Sequence, residues 1–433
     1  MNAAAARGFA KAERRIVPLL FFVYITSYLD RVNVAFAAPT MSKDLGFTPS
    51  VYGLAAGIFF LSYAALEIPS NLLSLRFGVR LWLTRIMITW GVLAMLTGFV
   101  NNSTQFIIVR FLLGVAEAGA FPMIMLYLTS WTPRKHRGRI FGFFIASVAV
   151  SGVIGSPLSG FLLTLDGVFG IDGWRWLFFA EGLPALLLGI IVFRTLPNTA
   201  ADAKWFTKEE REAVEEQLQR EADDVANHSL SLTEVRHALK SMRVWAMGGL
   251  AFFELVGLYS ISLWVPIFVH DAFPGLSQIQ LGFVNAIPFI AGALGMIFLG
   301  FSSDRFQERK WHLVIPMLVA VASLLIAAAL GVKSGFWFIV LASAAIYGIS
   351  PVLWSMAPMF MVGPAAAGGY ALLNSVGAIG GFIGPYSIGK LVQKNDGDPT
   401  SALQLVGASL FIAAVLAYLI AQSIVAKSSQ TTK

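Results

Sequence analysis

The sequence predicts an all-α membrane protein of twelve transmembrane helices arranged as two six-helix pseudo-repeats. Three observations carry that expectation. The 433-residue chain is 57% hydrophobic and only 13% charged, with a mean hydropathy of +0.73, too apolar for a soluble domain that must cover itself with polar groups. Apolar runs of about 20 residues, the length that crosses a hydrocarbon layer, recur between short charged loops. Positions in the first half also find counterparts 229 residues later, as Gly53 does in Gly282.

Runs bounded by Gly, Pro and charge place six spans at 16–38, 51–74, 81–100, 104–130, 139–163 and 174–196. Six more fall at 244–269, 279–302, 312–331, 335–357, 368–391 and 402–425. Basic residues crowd alternate loops: Arg14 and Arg15 before the first span, Arg76 and Arg80 after the second, and Arg134, Lys135, Arg137 and Arg139 after the fourth. The intervening loops are sparse or balanced in charge, as Lys43 with Asp44 or Asp166 with Asp172. By the positive-inside rule the basic loops and both termini are cytoplasmic, in a multi-pass protein of the cell's inner membrane. Residues Met1 to Arg15 lack a cleavable signal with a small-residue processing site, so the first run is expected to stay as a helix.

Residues 197–243 form the long polar segment and divide the chain into an N-terminal six-helix bundle (1–196), a cytoplasmic linker (197–243) and a C-terminal bundle (244–433). Thr207 with Glu210, and Ser231 with Glu234, have capping-box spacing, so short surface helices are expected within a solvated linker. The repeat is legible beyond one glycine pair. Tyr52-Gly53 to Asn71 is spaced as Leu281-Gly282 to Gly300, Arg76-Phe77 matches Arg305-Phe306, and Gly155 and Gly160 precede Gly384 and Gly389, all at an offset of 229. Two parallel repeats across a linker are a transporter architecture, with the substrate at the repeat interface near the membrane midplane.

Composition removes several other classes. The net charge of +7 and pI near 9.6 reflect Lys and Arg in loops, where they orient spans and do not form a nucleic-acid surface. Zero cysteines rule out disulfides, thiolate metal sites and cysteine catalysis. No phosphate loop precedes a soluble helix, no zinc-ligand spacing occurs and the five His are scattered, so no cofactor, metal or ATP-driven pump is expected. A nucleophile paired with a base is also missing, which argues against an enzyme.

A charge inside a span costs several kcal/mol by insertion scales, so each needs a partner, a wet cavity or an interfacial position. Asp30 and Arg31 lie in the first span, and Arg110 and Glu117 in the fourth. Arg110 and Glu117, two turns and roughly 10 Å apart on one face, cannot pair with each other. Each must look to another helix or to substrate, with Asp30 or Arg31 the obvious candidate; the alternative is a buried ion cluster that only fixes helix packing. Glu67, Arg85, Glu181 and Glu254 are further intramembrane charges, read as structural. At the repeat offset Asp30 corresponds to Tyr259, and the tenth and eleventh spans carry no charge before Lys390. Charge is therefore expected mainly in the N-terminal half, while the C-terminal half offers neutral donors and aromatics: Tyr259, Trp264, Ser350, Trp354 and Asn374. One half couples and the other recognises.

The segments SYLDRVNVAFA (27–37), GIFFLSYAALEIPSN (57–71), RFLLGVAEAGAFP (110–122), GWRWLFFAEGLPA (173–185) and NSVGAIGGFIGP (374–385) span nearly the whole chain. In them the sequence resembles the major facilitator superfamily, and within it the anion:cation symporter family that includes bacterial tartrate, phthalate, galactonate and hexuronate carriers. The resemblance implies that Asp30 and Glu117 are proton-accepting carboxylates, Arg31 the ligand of the substrate carboxylate, and Arg110 a partner of the acidic cluster. It also places Tyr28, Tyr63 and Asn374 as substrate hydrogen-bonding groups. One departure is Asn71 and Leu75 in the loop after the second span, where the superfamily has Gly and Asp; the second copy, Gly300 and Asp304, keeps the pattern. The implied activity is proton-coupled symport importing a small organic anion, whether sugar acid, dicarboxylate such as tartrate, or aromatic acid. The implied partners are that carboxylate, protons and membrane lipid, around a monomer, with no nucleic acid. An anion exchanger, a neutral-solute carrier or a transport-inactive membrane sensor are the alternatives.

Overall fold

The computed structural model describes residues 3–223, 239–360 and 366–431, and no strand occurs among them. In hydrocarbon every backbone N–H and C=O must be satisfied within the segment, so the apolar runs become helices. In chain order these are α1 (Ala3–Leu45), α2 (Pro49–Phe77), α3 (Val79–Thr97), α4 (Ser103–Glu117), α5 (Ala120–Thr129), α6 (Arg134–Leu163), α7 (Gly173–Thr195) and α8 (Lys208–Asp223). They continue with α9 (Met242–Ala272), α10 (Gln278–Phe306), α11 (Lys310–Phe360), α12 (Ala366–Lys394) and α13 (Thr400–Thr431). Eleven stretches among the described residues are long and apolar enough to span a membrane. The twelfth span is α12, whose 29 residues are richer in Gly and Ser.

Local signals set the helix starts. Thr48 accepts a hydrogen bond from the Val51 N–H at 3.3 Å with Pro49 as the first helical residue of α2. Ser277 and Gln280 form a reciprocal capping box at the start of α10 (2.9 and 3.3 Å). At the other end of α10, Arg309 bonds Ser303 and Asp304 (2.7 and 2.6 Å), so the loop copy that kept Gly300 and Asp304 is tied down.

Two expectations change. The span expected at 104–130 is broken: α4 ends at Glu117 and the chain passes Gly119 at φ 84° before α5 begins. A Cβ on Gly119 would lie 2.8 Å from Ser70 Oγ, so the left-handed backbone and the close approach both require glycine. The break frees the last carbonyls of α4, and Arg85 Nη1 donates to that of Ala116 at 3.3 Å. The spans expected at 312–331 and 335–357 both occur, as the two legs of α11 on either side of Gly331, which leaves helical geometry (φ 75°, ψ 159°).

The second change concerns the linker, whose helix α8 is docked and not merely solvated. The helix α1 begins at Ala3, well before the span expected from residue 16, and its extension packs on α8. Val214 is fully buried, and a Cβ on Gly8 would meet its Cγ2 at 2.6 Å. Lys11 Nζ donates to Glu210 at 2.7 Å, and Thr207 and Glu210 cap each other as their spacing implies (3.0 and 3.2 Å). The pair Ser231 and Glu234 lies outside the described residues. The Lys11 contact, with the Thr207 N–H, holds the Glu210 carboxyl below its ordinary value of 4.5. A depressed carboxylate contributes stability above its unfolded value and loses it as pH falls through the depressed one, so this docking persists through neutral pH.

The two halves seal at the end away from the chain termini. There α2 packs on α12 and α6 on α10, the repeat-related pairs. Glycines set the spacing: a Cβ on Gly389 would lie 2.4 Å from the Pro49 carbonyl oxygen, and one on Gly160 2.5 Å from that of Gln278. Tyr52 donates to the Leu263 carbonyl at 2.8 Å and Trp264 to that of Pro385 at 3.1 Å. Trp264 is thus part of this seal and does not line the cavity described below, since its indole is spent on α12. Gly389→Val is expected to destabilise the sealed state by about 1–3 kcal/mol through overpacking. Thermal unfolding of the purified protein in detergent checks this, and an unshifted midpoint would count against the tight seal.

Candidate functional site

A cavity between the halves holds about 750 Å³ of empty space, counting its opening to solvent. The seven expected substrate residues, Tyr28, Arg31, Tyr63, Tyr259, Ser350, Trp354 and Asn374, all line it, together with Tyr24, Phe60, Phe121 and Tyr347. They arrive from α1, α2, α5, α9, α11 and α12, each helix presenting one face. Aromatic contacts join the two walls: Phe60 lies 4.0 Å from Tyr259 between ring centroids, and Phe121 meets Trp354 edge-on at 5.8 Å.

The expected coupling residues Asp30, Arg110 and Glu117 do not line the cavity; they stand behind Arg31. Glu117 and Arg31 form a buried ion pair across α4 and α1, with Nε at 3.0 Å and Nη2 at 2.5 Å from the same Oε1. Ser27 donates to that oxygen too, while Oε2 is buried without a partner. Arg31 Nη1 points the other way, to the Tyr259 hydroxyl of the opposite half at 3.4 Å. Asp30 accepts from Trp90 Nε1 at 3.0 Å and Asn33 Nδ2 at 3.4 Å, and Arg110 is the cation that acts on it most. Arg110 makes no ion pair within 4.0 Å among the described residues; its guanidinium stacks over Phe59 at 5.1 Å, and Arg31 lies over the same ring at 5.4 Å. Two acids and two guanidiniums thus balance in one buried group, with one N–H edge reaching the cavity.

Three further carboxylates, read from the sequence as structural, are buried within the helix bundle and lack an ion-pair partner among the described residues. Glu181 accepts from Ser159 at 3.2 Å, Glu254 from Ser350 at 2.5 Å, and Glu67 from Asn374 and Ser375 at 2.6 and 3.0 Å. Of these three, Glu254 alone belongs to the C-terminal half; on α9, it is 1% exposed and sits directly behind the cavity residue Ser350. Tyr24 and Tyr347 were not anticipated either. Tyr347 shares a hydrogen bond with Ser262 at 2.7 Å, and the buried Tyr28 hydroxyl lies beside it without a well-directed bond of its own. The signal available was that each carboxylate falls inside an apolar run, which is costly unless the position is buried or functional.

The profile of the Major Facilitator Superfamily matches residues 20–385. The chain belongs to that superfamily. It is 42% identical over 427 residues to a protein of Agrobacterium vitis named "Putative tartrate transporter", covering 98% of this chain and 93% of that one. It is 36% identical over 421 residues to the "Quinolone resistance transporter" of Acinetobacter baumannii, covering 96% and 95%. Among solved structures, a bacterial homologue of the human lysosomal transporter Spinster, inward-facing and unoccupied, superposes with a TM-score of 0.74 at 20% identity, covering 95% of this chain and 97% of that one. This facilitator is therefore a multi-pass membrane transporter and not an enzyme. The likeness to Spinster extends to the fold alone.

Proposed function

We propose that this facilitator is a proton-coupled symporter of the inner membrane that imports a small organic anion. The observation that supports the reading best is Arg31: a guanidinium in the cavity wall, held from behind by Glu117, with Nη1 free to serve a carboxylate that displaces Tyr259. A charge-assisted bond in such a low-dielectric site favours an anion over a neutral solute. The tartrate name of the Agrobacterium vitis relative agrees with that class. Asp30 and Glu117 are the proton carriers, and Tyr28, Tyr63, Tyr259, Ser350, Trp354 and Asn374 complete the substrate site. Bundles 1–196 and 244–433 rock around it, joined by the 197–243 linker. With both termini cytoplasmic, the sealed end faces the periplasm.

The experiment is a thermal-shift screen of L-tartrate, D-galactonate and benzoate with neutral sugars as controls, followed by uptake into proteoliposomes under a pH gradient. A ligand at 100 times its Kd stabilises by about 2.7 kcal/mol. Stabilisation by neutral sugars alone, or binding without uptake, would sink the proposal in favour of a neutral-solute carrier or a sensor respectively.

Specificity follows from the cavity walls. Asn374 and Trp354 belong to the half without the paired arginines, so Trp354→Phe and Asn374→Ala should reorder competing acids by about tenfold, as loss of one polar or aromatic contact does. The pH dependence of uptake in Trp354→Phe should stay as in the wild type. Competition assays check this, and a collapse of proton coupling with unchanged ranking in that variant would overturn the division of roles.

A further inference from the structure

Glu67 of α2 is fully buried, yet both its oxygens are taken by α12 of the opposite half: Oε1 accepts from Asn374 Nδ2 at 2.6 Å and Oε2 from Ser375 Oγ at 3.0 Å. Asn374 also lines the cavity. A carboxylate can only accept, so an ionised Glu67 claims the Nδ2 edge of that amide. The carbonyl oxygen Oδ1 is then what Asn374 has left for the cavity. An acceptor there repels a carboxylate ligand and leaves the C-terminal wall unfit for the anion that Arg31 attracts.

We infer that Glu67 is a third proton-binding group, which sets whether Asn374 offers the substrate an acceptor or a donor. When Glu67 takes a proton from the wet cavity, its new O–H donates to Asn374 Oδ1, the amide turns over about χ2, and Nδ2 is presented to the substrate carboxylate. Loss of the proton restores the observed arrangement and expels the anion. The proton and the anion thus enter and leave together on the same amide. The surroundings allow it: Arg31 and Tyr24 of α1 and Tyr63 of α2 are the ionisable groups that act on Glu67, Glu117 of α4 is spent on Arg31, and Asn374 and Ser375 of α12 are neutral. No ion pair fixes Glu67 in its charged form among the described residues.

The inference rests on the proposed anion site, and its test separates the two. Calorimetry gives the Kd of L-tartrate and D-galactonate for the purified full chain between pH 6 and 9, in the wild type, Glu67→Gln, Asn374→Ala and the double variant. Glutamine imitates the protonated state, because its amide donates to Asn374 Oδ1. At pH 9 Glu67→Gln should bind roughly tenfold tighter than the wild type, and its affinity should fall with pH less steeply, by up to tenfold per pH unit. In the Asn374→Ala background the same substitution should change neither. Equal slopes in wild type and Glu67→Gln overturn the switch. A chain that binds neither acid, or binds both unchanged in Asn374→Ala, overturns the anion site itself. Should Glu67→Gln fail to fold, titrations in buffers of differing ionisation enthalpy count protons taken up per ligand. Asn374→Ala should lower that count by up to one, and an unchanged count with weakened binding overturns the switch.

Discussion

Arg31→Lys is expected to weaken binding of the transported acid by about a hundredfold, or ~2.7 kcal/mol, while leaving the charge in place. The reason is that Arg31 works in two directions at once. Its Nε and Nη2 edge is fixed on Glu117 Oε1, and its Nη1 reaches Tyr259 across the cavity. A guanidinium is planar and delocalised, so one rigid fork can hold an acid behind and offer a donor in front. An ammonium is a single point on a flexible stem. Drawn to Glu117 it leaves the cavity without a cation, and drawn to the substrate it leaves Glu117 buried and unpaired. The stacking of Arg31 over Phe59 and Tyr63 (5.4 and 5.2 Å) would be lost as well. Calorimetry on the folded variant decides it. An unchanged affinity would remove Arg31 as the carboxylate ligand, whatever happens to transport.

The sequence made some of this legible because the membrane leaves a chain few choices. Spans are read from length and apolarity, and a charge within one announces a burial problem, which is how Asp30, Arg31, Arg110 and Glu117 could be singled out before any geometry. Their pairing was only half visible. Helical spacing shows that Arg110 and Glu117 cannot meet, but which of Asp30 and Arg31 faces α4 depends on how α1 is rotated, a property of packing with no local signature. The break after Glu117 was hidden for a related reason. The run 104–130 is apolar enough to cross in one piece despite Arg110 and Glu117, and Gly119 is one glycine among 40 in the chain; the close approach of Ser70 has no local signature. Glu67 and Glu254 were undervalued because their partners, Asn374, Ser375 and Ser350, are neutral and far away in sequence. Charge complementarity, the usual clue, was absent. Docking of α8 on α1 also rests on long-range contacts, Lys11 with Glu210 and Gly8 with Val214, that a capping box does not foretell.

Glu117→Gln is expected to abolish net accumulation while sparing counterflow. In the structure Glu117 gathers Ser27, Arg31 Nε and Arg31 Nη2 on Oε1 alone, and its Oε2 is buried without a partner. Glutamine keeps an acceptor oxygen toward Arg31 and puts its amide where Oε2 now lies, so the shape is retained. The charge is not. With its counter-ion gone, Arg31 should hold the substrate carboxylate at least as firmly as before, and the loaded carrier should reorient as the protonated wild type does. The empty carrier is the state that fails, because in symport it must release a proton from this carboxylate before resetting. Counterflow exchanges loaded carriers only and should survive. Accumulation should fall from roughly 50-fold, the worth of 100 mV acting on one net charge, to about one. A Glu117 that merely braces the helices predicts another pattern, with expression, binding and counterflow falling together because a buried guanidinium has lost its partner. Uptake and counterflow measured side by side in proteoliposomes of matched protein content distinguish the two. Accumulation at the wild-type level under a pH gradient would take Glu117 out of the coupling mechanism and leave its task to Asp30 and Glu67.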